Sequence, residues 1–429
     1  RKFIFQPIPN IVYDLFPSFW ELFSNNRMII TNIIESRENI ITECKLFNQY
    51  PELFSFNVRL EFFKKSIKRS LLSFFSLFMD DALNIDRNDI LKSSFSEFKQ
   101  KEEEYGINIW FYNFIIKYIG ESGIDAGGLR KDWFNKISRA LFDPENKLFI
   151  EQNKTRNYQP NSCSTNLEYF KFAGKIIASF IYHGLHIEFH LAQPFIKQIL
   201  HRKVNFNDIV NIDPIKFNSI NEILKNDIDN DPINEYYFEV TKEGSDGNEI
   251  IELKENGSQI KVTNQNKEEY VQLLTEYYLV GSIKDQVESF KKGFESIISH
   301  LNIRIFTSSE LDFILCGVPN IDVNDMRQNT QFIQPYNENT PVVKLFFDSI
   351  SKWEQENLAK LLLFFTGSSI VPIGGFKNEV ITIAPGGEKY LLPGAHTCIN
   401  QLDLPEYETE DELNQKFMLA INQEGFYIE

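Results

Sequence analysis

Cys398 stands in the run Leu392-Pro393-Gly394-Ala395-His396-Thr397-Cys398. A cysteine is a few per cent thiolate near neutral pH and can attack a thioester without strong basic activation. Such a nucleophile needs exposure, which a position after a Pro-Gly loop supplies. His396 shares a strand face with it at i−2, and is as readily a plain surface histidine as a base. Composition alone leaves Cys398 open, because free cysteine is more often a core residue.

Two other groups invite a chemical reading. On a helix, His183, His186 and His190 fall within roughly 60° of one another, an arrangement able to aim three imidazoles at one point. Gly184 interrupts that segment, no HExxH pattern is present and Glu188 points elsewhere, so the sequence predicts a polar face and no metal. Gly127-Gly128 lacks a Walker lysine and a GxGxxG, and reads as a tight turn into a helix, with no nucleotide or other cofactor implied.

These residues must be positioned by a chain of 429 residues, long enough for two or more packed units. Lys+Arg 44 against Asp+Glu 60 gives −16, an acidic balance that argues against nucleic acid as a partner. No apolar stretch approaches the ~20 residues that span a bilayer, so no membrane association is expected. Cys44, Cys163, Cys316 and Cys398 form no CxxC pair, which fits reduced thiols in the cytoplasm or nucleus. The start at Arg1, without methionine, reads as a piece of a longer protein.

Along the chain, residues 1–80 have helical apolar spacing, and Ile107–Ile119 reads as a buried strand. A helix is expected from Leu129 to Leu141, and helical patterns recur over 167–200, Asn266–Leu301 and Ser309–Cys316. Tyr236–Val240, Ile250–Leu253 and Ile260–Val262 look like strands. Phe332–Thr340 is polar, contains Pro335 and has no period, which predicts a linker before a small α+β unit.

The tail from Leu392 through Cys398 to Tyr407, with Asn400, Leu402, Asp403, Leu404 and Pro405 in register, resembles the LPxAHTCFNxLDLPxY segment around the nucleophile of HECT-type E3 ubiquitin ligases. Upstream, Gly120–Leu129 with Asp132-Trp133-Phe134 resembles the family's GEEGxDAGGxxxEWF stretch. Glu168–Gly174, Tyr182-His183-Gly184, the block from Leu253 to Val271, Ile314–Gly317 and Thr366–Phe376 continue the series in order.

The resemblance implies an α+β, bilobal fold: a large, mainly helical N-lobe at 55–331, a flexible hinge at 332–340 and a small C-lobe at 341–429. Residues 1–54 resemble the helical extension that precedes some members. It further implies an E3 ubiquitin ligase of the ubiquitin conjugation pathway, with three kinds of partner: a ubiquitin-loaded E2 enzyme, ubiquitin and protein substrates. Cys398 would carry the thioester, with His396 and Thr397 beside it, and a lysine would then attack. Only about one free lysine in a thousand is neutral near pH 7.4, so a carboxylate that orients and deprotonates it would help. Asp403 and Glu429 are the candidates, Phe426 anchoring the tail. The E2 would dock near 205–262, on a groove including Leu224, Tyr236 and Phe238, and Tyr169 matches a ubiquitin-docking position in one branch of the family. Ile370, Gly394 and Ile399 depart from the family's usual residues, and the 377–390 loop is short. A silent binding module with this fold stays open as an alternative; a thiol protease is weaker, since no histidine follows Cys398.

Overall fold

The computed structural model describes residues 51, 54–69, 82–121, 128–152, 157–229, 235–244, 247–317, 320–366, 370–371, 375–377, 380–397 and 399–421. The chain divides into two units, one of residues 1–77 with 298–311 and one of 78–297 with 312–429. In the first, α1 (Phe56–Arg69) buries Phe63 edge-on against Phe306, ring centroids 5.3 Å apart. The Arg59 guanidinium grips the Glu310 carboxylate at 2.6 and 2.7 Å and also donates to the Ile305 carbonyl. The expected extension at 1–54 lies almost wholly outside the described residues.

The second unit is a mixture of helices and small sheets around three cores. Its first part runs β1 (Ala82–Ile85), α2 (Ile90–Tyr105), β2 (Ile115–Tyr118), α3 (Gly128–Phe142), β3 (Phe149–Gln152), β4 (Asn157–Pro160), α4 (Leu167–His183), β5 (His190–Leu191) and α5 (Gln193–Ile199). Strand β1 pairs parallel with β2, and β3, β4 and β5 form a second sheet. Apolar nearly all round, α4 is buried, as such a helix must be. It touches α8 (Lys284–Ile297) at backbone distance through two glycines. A Cβ on Gly174 would lie 2.0 Å from the Phe290 carbonyl, and one on Gly293 1.8 Å from that of Lys171.

The apolar run 107–119 is not one strand. Gly106, at φ +64, ends α2, and Gly106–Phe111 winds as a 3-10 turn that stacks Trp110 on Phe98, centroids 4.2 Å apart. Only Ile115–Tyr118 is extended, since a short apolar run fits either geometry.

A second core joins α6 (Pro214–Lys225), the antiparallel hairpin β6 (Glu239–Gly244) and β7 (Gly247–Glu252), and α7 (Lys267–Leu279), through Ile209, Ile220, Phe238, Val262, Tyr270 and Leu274. The expected strand at 260–262 reduces to a single bridge between Tyr237 and Lys261. The helical pattern expected over 266–301 is carried by α7 and α8, joined by a 3-10 turn over Gly281–Ile283.

Helix α9 (Ser308–Cys316) precedes a third core, built from α10 (Val323–Gln328), β8 (Thr330–Phe332), α11 (Pro341–Ile350), α12 (Gln355–Thr366), β9 (Ile381–Pro385), β10 (Gly394–His396), β11 (Gln401–Leu404) and α13 (Glu410–Ile421). The sheet order is β10-β11-β9-β8, with β10 antiparallel to β11 and the other pairs parallel. This core already includes Ile321 and Met326, and from 332–340 it takes in Tyr336, with Phe332 packed against it, while 333–335 and 337–339 are exposed. Phe332 belongs to β8, and Tyr336 is 4% exposed with its hydroxyl donating to the Leu404 carbonyl at 3.0 Å. The polarity of this segment reflects its exposed residues, and the expectation of a linker overlooked the burial of Tyr336.

Candidate active site

The segment 397–400 connects β10 to β11. Its ends are fixed by backbone bonds: the Ile399 amide donates to the His396 carbonyl at 3.2 Å, and the Thr382 amide donates to the Asn400 carbonyl at 3.0 Å. Asn400 is left-handed at φ 52, a conformation asparagine tolerates better than most residues. Cys398, between these anchors in sequence, lies outside the described residues, as do Phe426 and Glu429. On one side of it Thr397 is buried, and on the other Ile399 is 59% exposed.

Strand register brings His396 and Asp403 together. His396 opposes Gln401 and Gly394 opposes Asp403, which places all four on one face of the β10–β11 pair. The Asp403 carboxylate accepts from His396 Nε2 at 2.9 Å through Oδ2 and from Gln401 Nε2 at 2.7 Å through Oδ1. A carboxylate is an acceptor only, so the proton of a neutral His396 sits on Nε2 and Nδ1 is the nitrogen that can take another.

A contact that the sequence did not announce comes from α3. Lys131 Nζ donates to the carbonyls of Thr366 and Thr397 and to Asn400 Oδ1, at 2.9, 3.0 and 2.9 Å. No local pattern could have singled it out, because its acceptors are more than two hundred residues away in sequence.

The other expected site residues fall elsewhere. Tyr169, on α4, packs on Phe95 with centroids 4.6 Å apart, and burial pushes its phenol pKa up. Near it, Phe95, Glu102, Trp110, Phe172 and Lys175 line a cleft of about 340 Å³. Leu224 and Tyr236 are half-buried against the second core. Phe238 is 0% exposed, edge-on to Tyr270, and so fills that core rather than facing a groove.

The three histidines do not converge. His183 bonds through Nε2 to the Trp110 carbonyl at 3.1 Å, and desolvation pushes its pKa down to about 4. His190 instead meets Asp312 at 2.9 Å, with Cys316 alongside, a group whose ligand atoms are close enough for a metal ion. The Cys316 thiol donates to the Phe189 carbonyl at 3.3 Å, and burial pushes its pKa well up. It is a structural thiol, unsuited to nucleophilic attack. Cys163 is exposed, with no base placed beside it by any expected motif.

The family described as HECT-domain (ubiquitin-transferase) matches residues 135–429, more than half of the chain. The chain belongs to this family. It is similar to the E3 ubiquitin-protein ligase TOM1-like of Neurospora crassa, 33% identical over 435 residues, which cover 98% of this chain and 10% of that protein. E3 ubiquitin-protein ligase ptr1 of Schizosaccharomyces pombe is 32% identical over 98% of this chain and 13% of its own length. For E3 ubiquitin-protein ligase NEDD4 of Homo sapiens the identity is 37%, over 72% of this chain and 24% of that protein. The chain thus spans between a tenth and a quarter of the length of these relatives.

Proposed function

We propose that this chain is the catalytic domain of an E3 ubiquitin ligase that takes ubiquitin from an E2 enzyme as a thioester on Cys398 and passes it to a substrate lysine. The observation that carries this reading is the anchored connection 397–400, which holds the residues on both sides of Cys398 at the end of a β-pair in a chain of the HECT family. In the first step the Cys398 thiolate attacks the E2 thioester carbon, one C–S bond forms as another breaks, and the E2 thiolate leaves. In the second a lysine amine attacks, a C–N bond replaces the C–S bond, and Cys398 leaves as thiolate. The proton lost by the amine goes to the Asp403–His396 pair, with Glu429 a further acceptor if Phe426 anchors the tail.

The E2 docks on the unit that encloses the second core, residues 204–280, where Leu224 and Tyr236 supply partly exposed apolar surface. Tyr169 and the cleft beside it receive a second ubiquitin. The domain works as two lobes, and the hinge between them is at 317–320 rather than 332–340. Cys316 is bonded to Phe189 of the large lobe, whereas Ile321 belongs to the core of the small one. Such an enzyme acts in the cytoplasm or nucleus on protein substrates.

The test is incubation with E1, a panel of E2s, ATP and ubiquitin, followed by separation without reductant. An adduct one ubiquitin heavier that reductant removes is expected; its absence with every E2 would end this reading.

A further inference from the structure

A single ammonium ties the Cys398 loop to α3. An ammonium has three N–H donors and no acceptor, and for Lys131 three acceptors, the Thr366 and Thr397 carbonyls and Asn400 Oδ1, all lie within 3.0 Å. They come from one side of the contact: the end of α12, the residue just before Cys398 and the residue two after it. A second observation shows how closely the loop seats. A Cβ built on Gly128, the first residue of α3, would lie 3.0 Å from Thr397 Oγ1. Helix α3 is itself held rigidly by buried Trp133, Phe134, Ile137 and Leu141, and it packs on α2, α4 and β2. Charge-assisted bonds from a rigid helix fix a loop more tightly than neutral ones.

We propose that Lys131 is a positioning residue that latches the Cys398 loop onto α3 for the transfer of ubiquitin to lysine. The inference rests on the reading of Cys398 as the nucleophile. In the transfer step the C–S bond breaks and negative charge returns to the sulfur of Cys398. An ammonium bonded to the carbonyl of the preceding residue is a fixed positive charge in the loop where that charge develops, and it costs no reorganisation.

The experiment separates the two steps. Wild-type protein, Lys131→Met, Lys131→Gln and Lys131→Arg are loaded from a ubiquitin-charged E2, the E2 is quenched, and discharge to free lysine is followed in a single turnover. No adduct on the wild type would defeat the ubiquitin reading itself, before the latch is addressed. With the adduct present, Lys131→Met and Lys131→Gln should load within about twofold of wild type and discharge about tenfold more slowly, the scale for losing a contact that holds reacting groups in line. Lys131→Arg should fall within about threefold of wild type, since it keeps the charge but places its donors in a planar fork on a longer stem. Discharge at the wild-type rate in Lys131→Met and Lys131→Gln would overturn the latch. So would loading and discharge slowed together, or faster loading with unchanged discharge. Should Lys131→Met not fold, the Gln and Arg variants carry the comparison.

Discussion

His396 Nε2 lies 2.9 Å from Asp403 Oδ2, a diagonal contact across the β10–β11 pair that the missing side chain at Gly394 leaves room for. A Cβ at position 394 would stand 3.2 Å from that of Asp403 and 3.3 Å from its Oδ2. Gly394 thus leaves room for the Asp403 carboxylate beside His396.

Asp403→Asn keeps a side chain of the same size and can still accept from His396, but it cannot hold a proton at neutral pH. Its discharge to lysine should slow by about tenfold while thioester formation stays within about twofold, in line with the lower range of general-base effects. The deficit should shrink as pH rises toward ~10, because lysine then sheds its proton unaided. Single-turnover discharge across pH measures this; an equal deficit at every pH would argue against a base.

Tyr336 is a core residue. Its hydroxyl donates to the Leu404 carbonyl, and burial pushes its pKa up to about 12. Tyr336→Phe should lower stability by about 1 kcal/mol for the lost hydrogen bond. Tyr336→Ala should cost about 3–4 kcal/mol, as large-to-small changes at buried aromatics do. Chemical denaturation followed by fluorescence checks both, and equal midpoints for the two variants would mean that the Tyr336 ring lies outside the core.

His183 links folding to pH. Its pKa in the fold is about 4, against an ordinary ~6.5, because desolvation disfavours the imidazolium. As pH falls through 6.5, the unfolded chain takes up a proton at this residue that the folded chain refuses until about pH 4. Stability is therefore lost across that window, on the order of 1–3 kcal/mol, and levels off below it. His183→Gln, whose amide can still donate to the Trp110 carbonyl, should flatten the dependence between pH 4 and 6.5 in thermal melts. A slope unchanged by the substitution would assign the effect to other groups.

The parts of this molecule that were legible in the sequence are those whose information is local. Helix α3 was bounded within a residue by its apolar period, and the strands expected at 236–240 and 250–253 overlap β6 and β7, though the tight connection between them was not foreseen. The stretch around Cys398 reads as a unit because its residues are contiguous, and that same contiguity places His396 and Asp403 on one strand pair. What failed depends on long-range packing. Nothing local says that Tyr336 reaches Leu404, that Phe238 is enclosed by Tyr270, or that Lys131 meets Thr397. The strand expected over 107–119 failed for a different reason, since Gly106 ends α2 with a positive φ and commits the next residues to a tight turn.

The central claim is that Cys398 alone carries ubiquitin. After charging with E1, E2, ATP and ubiquitin, the account predicts that Cys398→Ala forms no reductant-sensitive adduct, whereas Cys44→Ala, Cys163→Ala and Cys316→Ala form it as wild type does. Cys398→Ser should form a slower adduct that survives reductant, because an alkoxide is far scarcer than a thiolate. A reductant-sensitive adduct persisting in Cys398→Ala would contradict the account.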